Sequence, residues 1–331
     1  MFDHYIAVDW AQSVMAIARL TKTGKRAEVF ELPADIGELK FYLSTKKGKI
    51  KLIFEESTCA QWMYTELKDE VEEIIVCDPK RNRYLTEAQQ TDKIDALKLA
   101  ELGYSCLLKP VFHSGDAFIS MRNLISGYED TIKAGVRVKN QRSAILRANG
   151  CKSEHEISSE DNLFVLHGLN ESIVRYEEEK ARYKKKFESL CTEYPLLRRL
   201  RSIPGIDLIG AIKVAARVVE PRRFSSRQKF YAYCGLVKYE KQSGGRTYGK
   251  RNPSYCRTLK CVFNTAALSS MKNKRLDSYM GRYIEYLKTE KRYPDHQIRR
   301  AISRHIASIS LGVMKGKRFD VNHKRKALKV S

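Results

Sequence analysis

The chain has 331 residues, of which 43% are hydrophobic and 31% charged, with a formal net charge of +23. That length suits two or three domains, the apolar fraction can bury proper cores and excludes global disorder, and no run nears the ~18 apolar residues of a spanning helix. The opening MFDHYIAVDW carries Asp3 and Asp9 and no basic n-region, so no signal peptide is expected, and a soluble protein of a reducing compartment is.

The first hundred residues read as α/β. His4–Asp9 and Val14–Thr21 are strand-like, Lys22–Lys25 is a hairpin turn with Gly24 at its tip, and Arg26–Leu32 gives a third strand. Ala34–Ser44 has helical spacing, Lys51–Glu56 is a buried-looking strand, and Ala60–Glu70 is a helix. Glu73–Cys77 is a short apolar strand stopped by Asp78-Pro79, and Thr91–Leu102 is an amphipathic helix. A meander of three strands followed by strands alternating with helices is a ribonuclease H-like order. No GxGxxG follows the first strand, which speaks against a dinucleotide fold.

The remainder reads as mainly α. Helical spacing runs from Phe118 to Arg147, ends at Asn149-Gly150, and resumes from Leu169 to Tyr194. Two long helices around a polar connection suggest an antiparallel coiled-coil arm for dimerisation, with a solvated single-chain hairpin as the alternative. Ile203-Pro204-Gly205-Ile206 followed by Gly210-Ala211 reads as a helix-hairpin-helix turn able to meet a phosphate. Ser225 or Ser226 should cap a helix over Arg227–Cys234, and Lys241–Asn252 reads as a glycine-rich basic loop. Helices are expected over Leu259–Met271, Ser278–Leu287 and Ile298–Met314, before a disordered basic tail. Domain boundaries are placed at 1–108, 109–199 and 200–314, with the tail at 315–331.

Charge is distributed unevenly. Residues 1–100 hold 15 Lys and Arg against 17 Asp and Glu, residues 101–200 hold 16 against 14, and residues 201–331 hold 31 against 8. The whole excess lies in the last segment, the footprint of a polyanion partner. The eight cysteines are scattered with no CxxC pair, so they read as small apolar core residues rather than a zinc site or disulfide framework.

Four carboxylates stand out: Asp9 at the end of the first strand, Glu56 at the end of the fourth, and Asp92 and Asp95 three apart on one helix face. Strand alternation puts Leu52, Phe54 and Glu56 on one face and makes Glu55 the lesser candidate. In a ribonuclease H-like sheet the first and fourth strands are central neighbours. Carboxylates at their ends, met by a crossing helix, would hold Mg2+ or Mn2+ for phosphoryl transfer. One such residue alone would read as a cap; four in this order read as a cluster. Ser243, in Gln242-Ser243-Gly244-Gly245-Arg246, is a second candidate, because two glycines let backbone approach a phosphate and Arg246 could neutralise it.

Together, VDWA with Asp9, EEST with Glu56, TDKIDALKLA with Asp92 and Asp95, then SIPGIDLIGAI, EPRRFSSRQKFYAYCGLV and QSGG resemble the IS one-ten family of DEDD transposases and the related Piv DNA invertases. The resemblance covers about residues 4–105 and 200–270. It implies a RuvC-like nuclease domain, a coiled-coil dimerisation region and a small transposase domain. It implies a recombinase of double-stranded donor and target DNA that binds Mg2+ through its carboxylates, in some members guided by a bridge RNA. Ser243 matches the family's nucleophile, which forms a phosphoserine link to DNA. The resemblance further implies a homodimer assembling to a tetramer, in the cytoplasm at the nucleoid of a bacterium or archaeon. Gly205, Gly244, Gly245, Arg246, Lys250, Arg251 and Arg257 are the expected nucleic-acid contacts. Asp207 departs from the family's glycine in the hairpin, and the segment after Gly245 is more compact than usual. A Piv-like invertase, a Holliday-junction resolvase-like nuclease and an inactive binding descendant are the alternatives.

Overall fold

The structure, a computed structural model, describes residues 1–79, 91–115, 117–272 and 278–319. The chain divides into two compact units, Met1–Gly115 and Asp116–Ser331.

In the first unit the strands are β1 (His4–Trp10), β2 (Val14–Thr21), β3 (Arg26–Pro33), β4 (Ile50–Glu55) and β5 (Glu73–Cys77). The helices are α1 (Ile36–Ser44), α2 (Ala60–Leu67) and α3 (Asp92–Tyr104). Asp35 starts α1 by accepting from the Gly37 and Glu38 N–H groups, which leaves Ala34 outside the helix. The sheet order is β3-β2-β1-β4-β5, with β1 antiparallel to β2 and parallel to β4. The first and fourth strands are therefore neighbours, with β1 central, as the ribonuclease H-like order requires.

Both faces of the sheet are covered. On one, Ile6, Val8, Leu52 and Phe54 pack with Leu39 and Leu43 of α1 and Met63 and Leu67 of α2. On the other, Tyr5, Ala7, Ala16 and Ile53 pack with Ala96, Leu99 and Ala100 of α3. The small residues Ala7, Ala16 and Ala18 let α3 come close. At Gly103 a Cβ would overlap the Ile53 side chain, so the contact has no room for a larger residue.

The second unit is mainly helical: α4 (Ala117–Ala148), α5 (Glu160–Glu193), α6 (Pro195–Arg201), α7 (Leu208–Val218), α8 (Arg227–Tyr233), α9 (Arg257–Lys272), α10 (Tyr279–Thr289) and α11 (Asp295–Met314). Helices α4 and α5 pair antiparallel within the chain. Tyr128 meets Phe187 edge-on at 5.4 Å between ring centroids, Gly135 packs on Tyr176, and Leu146 joins Leu166 at the far end. Helix α5 begins well before the expected Leu169, because Ser159 caps it and Glu160 and Asp161 suit its first turn. Pro195 opens α6, which no sequence expectation included. The near end of the α4–α5 pair shares one core with the later helices, joining Met121, Ile125 and Phe187 to Ile212, Phe263 and Ile302.

Between α8 and α9, the expected loop is instead an antiparallel hairpin of β6 (Tyr239–Ser243) and β7 (Arg246–Arg251). Of the tail, residues 320–331 lie outside the described residues.

Candidate active site

Strand alternation aims Asp9 at α3. It follows Tyr5 and Ala7 on that face of β1, whereas Trp10 turns the other way and meets Trp62 edge-on at 5.7 Å. Thr91 caps α3, its Oγ1 accepting from the Ile94 N–H, and this fixes Asp92 and Asp95 in the helix's first turn. Burial, followed by the negative charges of Asp92 and Asp95, pushes the Asp9 carboxyl above the usual carboxylate range. Three of the four expected carboxylates are thus close enough to feel one another.

At the fourth position the two adjacent glutamates part. Glu55 is the glutamate on the α3 face: burial, then Asp9, Asp95 and Asp78, raise its pKa. Glu56 lies one residue past β4, is exposed, and accepts a hydrogen bond from His113 Nε2 at 2.5 Å. The other ring nitrogen of His113 lies 2.9 Å from Gln61 Oε1, and Gln61 Nε2 donates to the Ser114 carbonyl at 3.0 Å. The His113 side chain is only 4% exposed, so a buried ring holds the exposed Glu56 carboxylate. The sequence expectation followed the parity of Leu52 and Phe54, but those residues face α1 and α2. Val8 pairs with Phe54 in register, and the next pair along places Glu55 beside Asp9. Each face of β4 carries buried apolar residues, Leu52 and Phe54 on one and Ile53 on the other, so burial of these alone does not show which face α3 covers.

A cluster of Asp9, Glu55, Asp92 and Asp95 is chemically suited to a hard divalent cation. Its donors are carboxylate oxygens, and their mutual repulsion is what a cation would relieve. Lys98 adds one positive charge beside them, its buried Nζ pairing with Asp95 at 3.9 Å. Among the described residues, no three His, Cys, Asp or Glu side chains converge closely enough to hold an ion as they stand.

Ser243 belongs to the second unit. It is the last residue of β6 and pairs with Arg246 across a two-residue turn. Gly244 and Gly245 have φ of 54° and 76°, the left-handed pair of a type I′ turn. Added Cβ atoms at either would meet nothing, so backbone conformation alone demands glycine. Ser243, Gly244, Gly245, Arg246 and Arg251 are all exposed, and Lys250 stands 4.0 Å from Glu240. Arg257 opens α9.

Gly205 has a packing reason of its own: a Cβ there would overlap the Ala266 carbonyl. Asp207 accepts from the Gly210 N–H at 2.7 Å and so caps α7. A carboxylate therefore already occupies the helix end that a phosphate would otherwise find.

Comparison with known proteins bears on this arrangement. Residues 6–149 match the DEDD transposase model of the IS110 group, and residues 197–281 match the model described as transposase IS116/IS110/IS902 family. The chain belongs to the IS110/IS116/IS902 transposase family. Asp9, Glu55, Glu56, Asp92 and Asp95 fall within the first match, and Ser243 within the second. A Sinorhizobium fredii protein named as transposase y4qE is 22% identical over 259 residues, covering 74% of this chain and 66% of that one. A Pseudomonas aeruginosa protein named as a family 20 transposase is 29% identical over 99 residues, 29% of each chain. The chain thus spans less than two thirds of the length of either relative. The mixed α/β first unit suits a DEDD nuclease-like domain. No described helix is long and apolar enough to cross a membrane.

Proposed function

We infer that this chain is a DNA recombinase of an insertion sequence, which cuts and rejoins double-stranded DNA through Ser243. The observation that carries this reading is that burial and the negative charges of Asp92 and Asp95 push the Asp9 carboxyl up, and burial with Asp9 and Asp95 does the same to Glu55, a repulsion that a cation would relieve. Domains at 1–108, 109–199 and 200–314 would supply nuclease, dimerisation and transposase parts.

In this mechanism the Ser243 Oγ attacks a backbone phosphorus. A serine–phosphate ester forms as the bond to the leaving deoxyribose oxygen breaks, and that oxygen receives a proton. Attack by a second sugar hydroxyl then rebuilds a phosphodiester and releases Ser243. Arg246, the cross-strand partner of Ser243, balances charge on the phosphate. Asp9, Glu55, Asp92 and Asp95 would hold Mg2+ or Mn2+, with Glu56 a further carboxylate at their edge. When bound, the metal would stabilise negative charge on phosphate oxygens. The carboxylates alone would repel DNA, so the excess of 31 Lys and Arg over 8 Asp and Glu after residue 200 is the part that grips it. A bridge RNA, and a homodimer assembling to a tetramer, complete the proposal.

The test is an SDS-stable protein–DNA adduct, formed by the full chain with element-end DNA, the adjacent non-coding RNA and Mg2+. Wild-type protein should form it and Ser243→Ala should not. Cleavage without an adduct in both would instead indicate a hydrolytic nuclease.

A further inference from the structure

The base of the serine hairpin opens onto a cleft of about 580 Å³, walled by the segment after α8, both hairpin strands, α9 and α11. Lys238, Lys250, Lys260, Arg299, Arg300 and Arg304 line it. The one lining carboxylate, Glu240, already stands 4.0 Å from Lys250. Lys260 lies over the Tyr255 ring, 4.4 Å from its centroid. Among the described residues, Lys238, Arg299, Arg300 and Arg304 form no ion pair, and Arg299 Nε is buried without a hydrogen-bond partner.

Packing does not account for this. On α11, Ile298, Ile302 and Ile306 enter the core. Arg300 and Arg304 are one turn apart on the face that borders the cleft, where like charges four residues apart repel. The floor is polar as well: Ser303, fully buried, lies 2.9 Å from the Arg299 carbonyl and 3.2 Å from Asn264 Oδ1. Concentrated, uncompensated guanidinium groups with a fixed polar floor are the chemistry of phosphate recognition.

We propose that this cleft holds the sugar-phosphate backbone of the DNA strand presented to Ser243, an inference that rests on the reading of Ser243 given above. Strand β6 links the two. From Glu240 at the cleft to Ser243 is three residues, roughly 10 Å at about 3.3 Å each. That span is about three nucleotide rises of roughly 3.4 Å. The cleft therefore takes phosphates a few nucleotides from the one at Ser243, and fixes which of them the serine reaches. Arg299, Arg300 and Arg304 lie beyond residues 197–281, outside both family matches.

The experiment uses the full chain and a fluorescent DNA duplex of arbitrary sequence, with anisotropy read across a salt series and a single-stranded RNA run in parallel. Each lost phosphate contact lowers the slope of log K against log salt by about 0.9. Arg300→Gln with Arg304→Gln should lower it by about 2, and Lys238→Gln, an exposed loop change, by about 1. Lys184→Gln with Lys185→Gln, an equal charge change on the exposed face of α5, should leave it as in wild type. Equal slopes in all variants, an equal fall in the α5 control, or a loss confined to RNA would each overturn the assignment. If wild-type protein binds no duplex, the proposed function falls too; if it binds and forms its adduct while the cleft variants match it, only the cleft assignment falls.

Discussion

Gly244→Ala tests the hairpin on which the serine depends. Gly244 sits at φ 54°, a conformation that costs an L-residue about 1–2 kcal/mol. Nothing lies within contact of an added Cβ, so no steric term is superimposed. Both strands are exposed along nearly their whole length, and an isolated two-stranded hairpin is marginal in water. The penalty should therefore pass almost whole into opening, shifting the opening equilibrium by roughly 5–30-fold. Trypsin reads this directly, because Lys241, Arg246, Lys250 and Arg251 lie in the hairpin and cleavage tracks the open population. Cleavage there should rise and adduct formation fall severalfold in Gly244→Ala, while the helical melting midpoint stays put. Gly244→Asn should behave as wild type, since asparagine tolerates the left-handed region and Asn-Gly favours this turn. If alanine and asparagine variants match each other in both readouts, the turn geometry does not govern Ser243.

Both tryptophans, Trp10 and Trp62, lie in the first unit, so their fluorescence reports its unfolding alone. Asp9 and Glu55 have raised pKa values, so the stability tied to their neutral forms is present at low pH and lost as pH rises past the ordinary carboxylate range. Asp9→Asn and Glu55→Gln should raise the unfolding midpoint at pH 7 in chelator; a fall would contradict the repulsive cluster. Mn2+ should raise the wild-type midpoint, with the gain reduced by Glu55→Gln more than by Glu56→Gln; the reverse order would make Glu56 the fourth ligand. Glu28 works in the opposite sense: burial opposes its ionisation, but hydrogen bonds from Arg19, Tyr42 and Lys46 win and bring its pKa from 4.5 to about 2. Its contribution, roughly 2–3 kcal/mol after allowance for a side chain 32% exposed, is present above pH 4.5 and lost as pH falls towards 2. Glu28→Gln should lower stability at pH 7 by about that amount and flatten the acid limb, whereas an unchanged acid limb would remove the network from the account.

Elements whose one face must be buried were legible in the sequence. The five strands and three helices of the first unit fall within a few residues of expectation, because apolar alternation and the caps at Asp35 and Thr91 are local signals. The β6–β7 hairpin was not, for the same reason in reverse. Tyr239–Ser243 is exposed throughout, so it carries no apolar alternation, and its glycines read as a loop. Its turn chemistry was nevertheless present: two consecutive glycines between short polar runs satisfy a type I′ turn. Asp207 shows a related ambiguity, because a departure from a phosphate-binding turn serves here as the N-cap of α7.

The carboxylates show where local reading stops. Asp9, Asp92 and Asp95 could be grouped because helix and strand spacing each fix one side chain's direction. Choosing between Glu55 and Glu56 required knowing which face of β4 meets α3, and a shift of one residue reverses that face. Leu52 and Phe54 are as buried as Ile53, so hydrophobicity carries no vote. The deciding contacts come from far along the chain. His113 holds Glu56 from 57 residues away, and Ala96, Leu99 and Ala100 of α3 cover Ile53 on the Glu55 side. Adjacent acids at a strand end thus offer both faces of a sheet at once, and only the long-range packing of α3 and His113 separates a carboxylate in the cluster from one held at its edge.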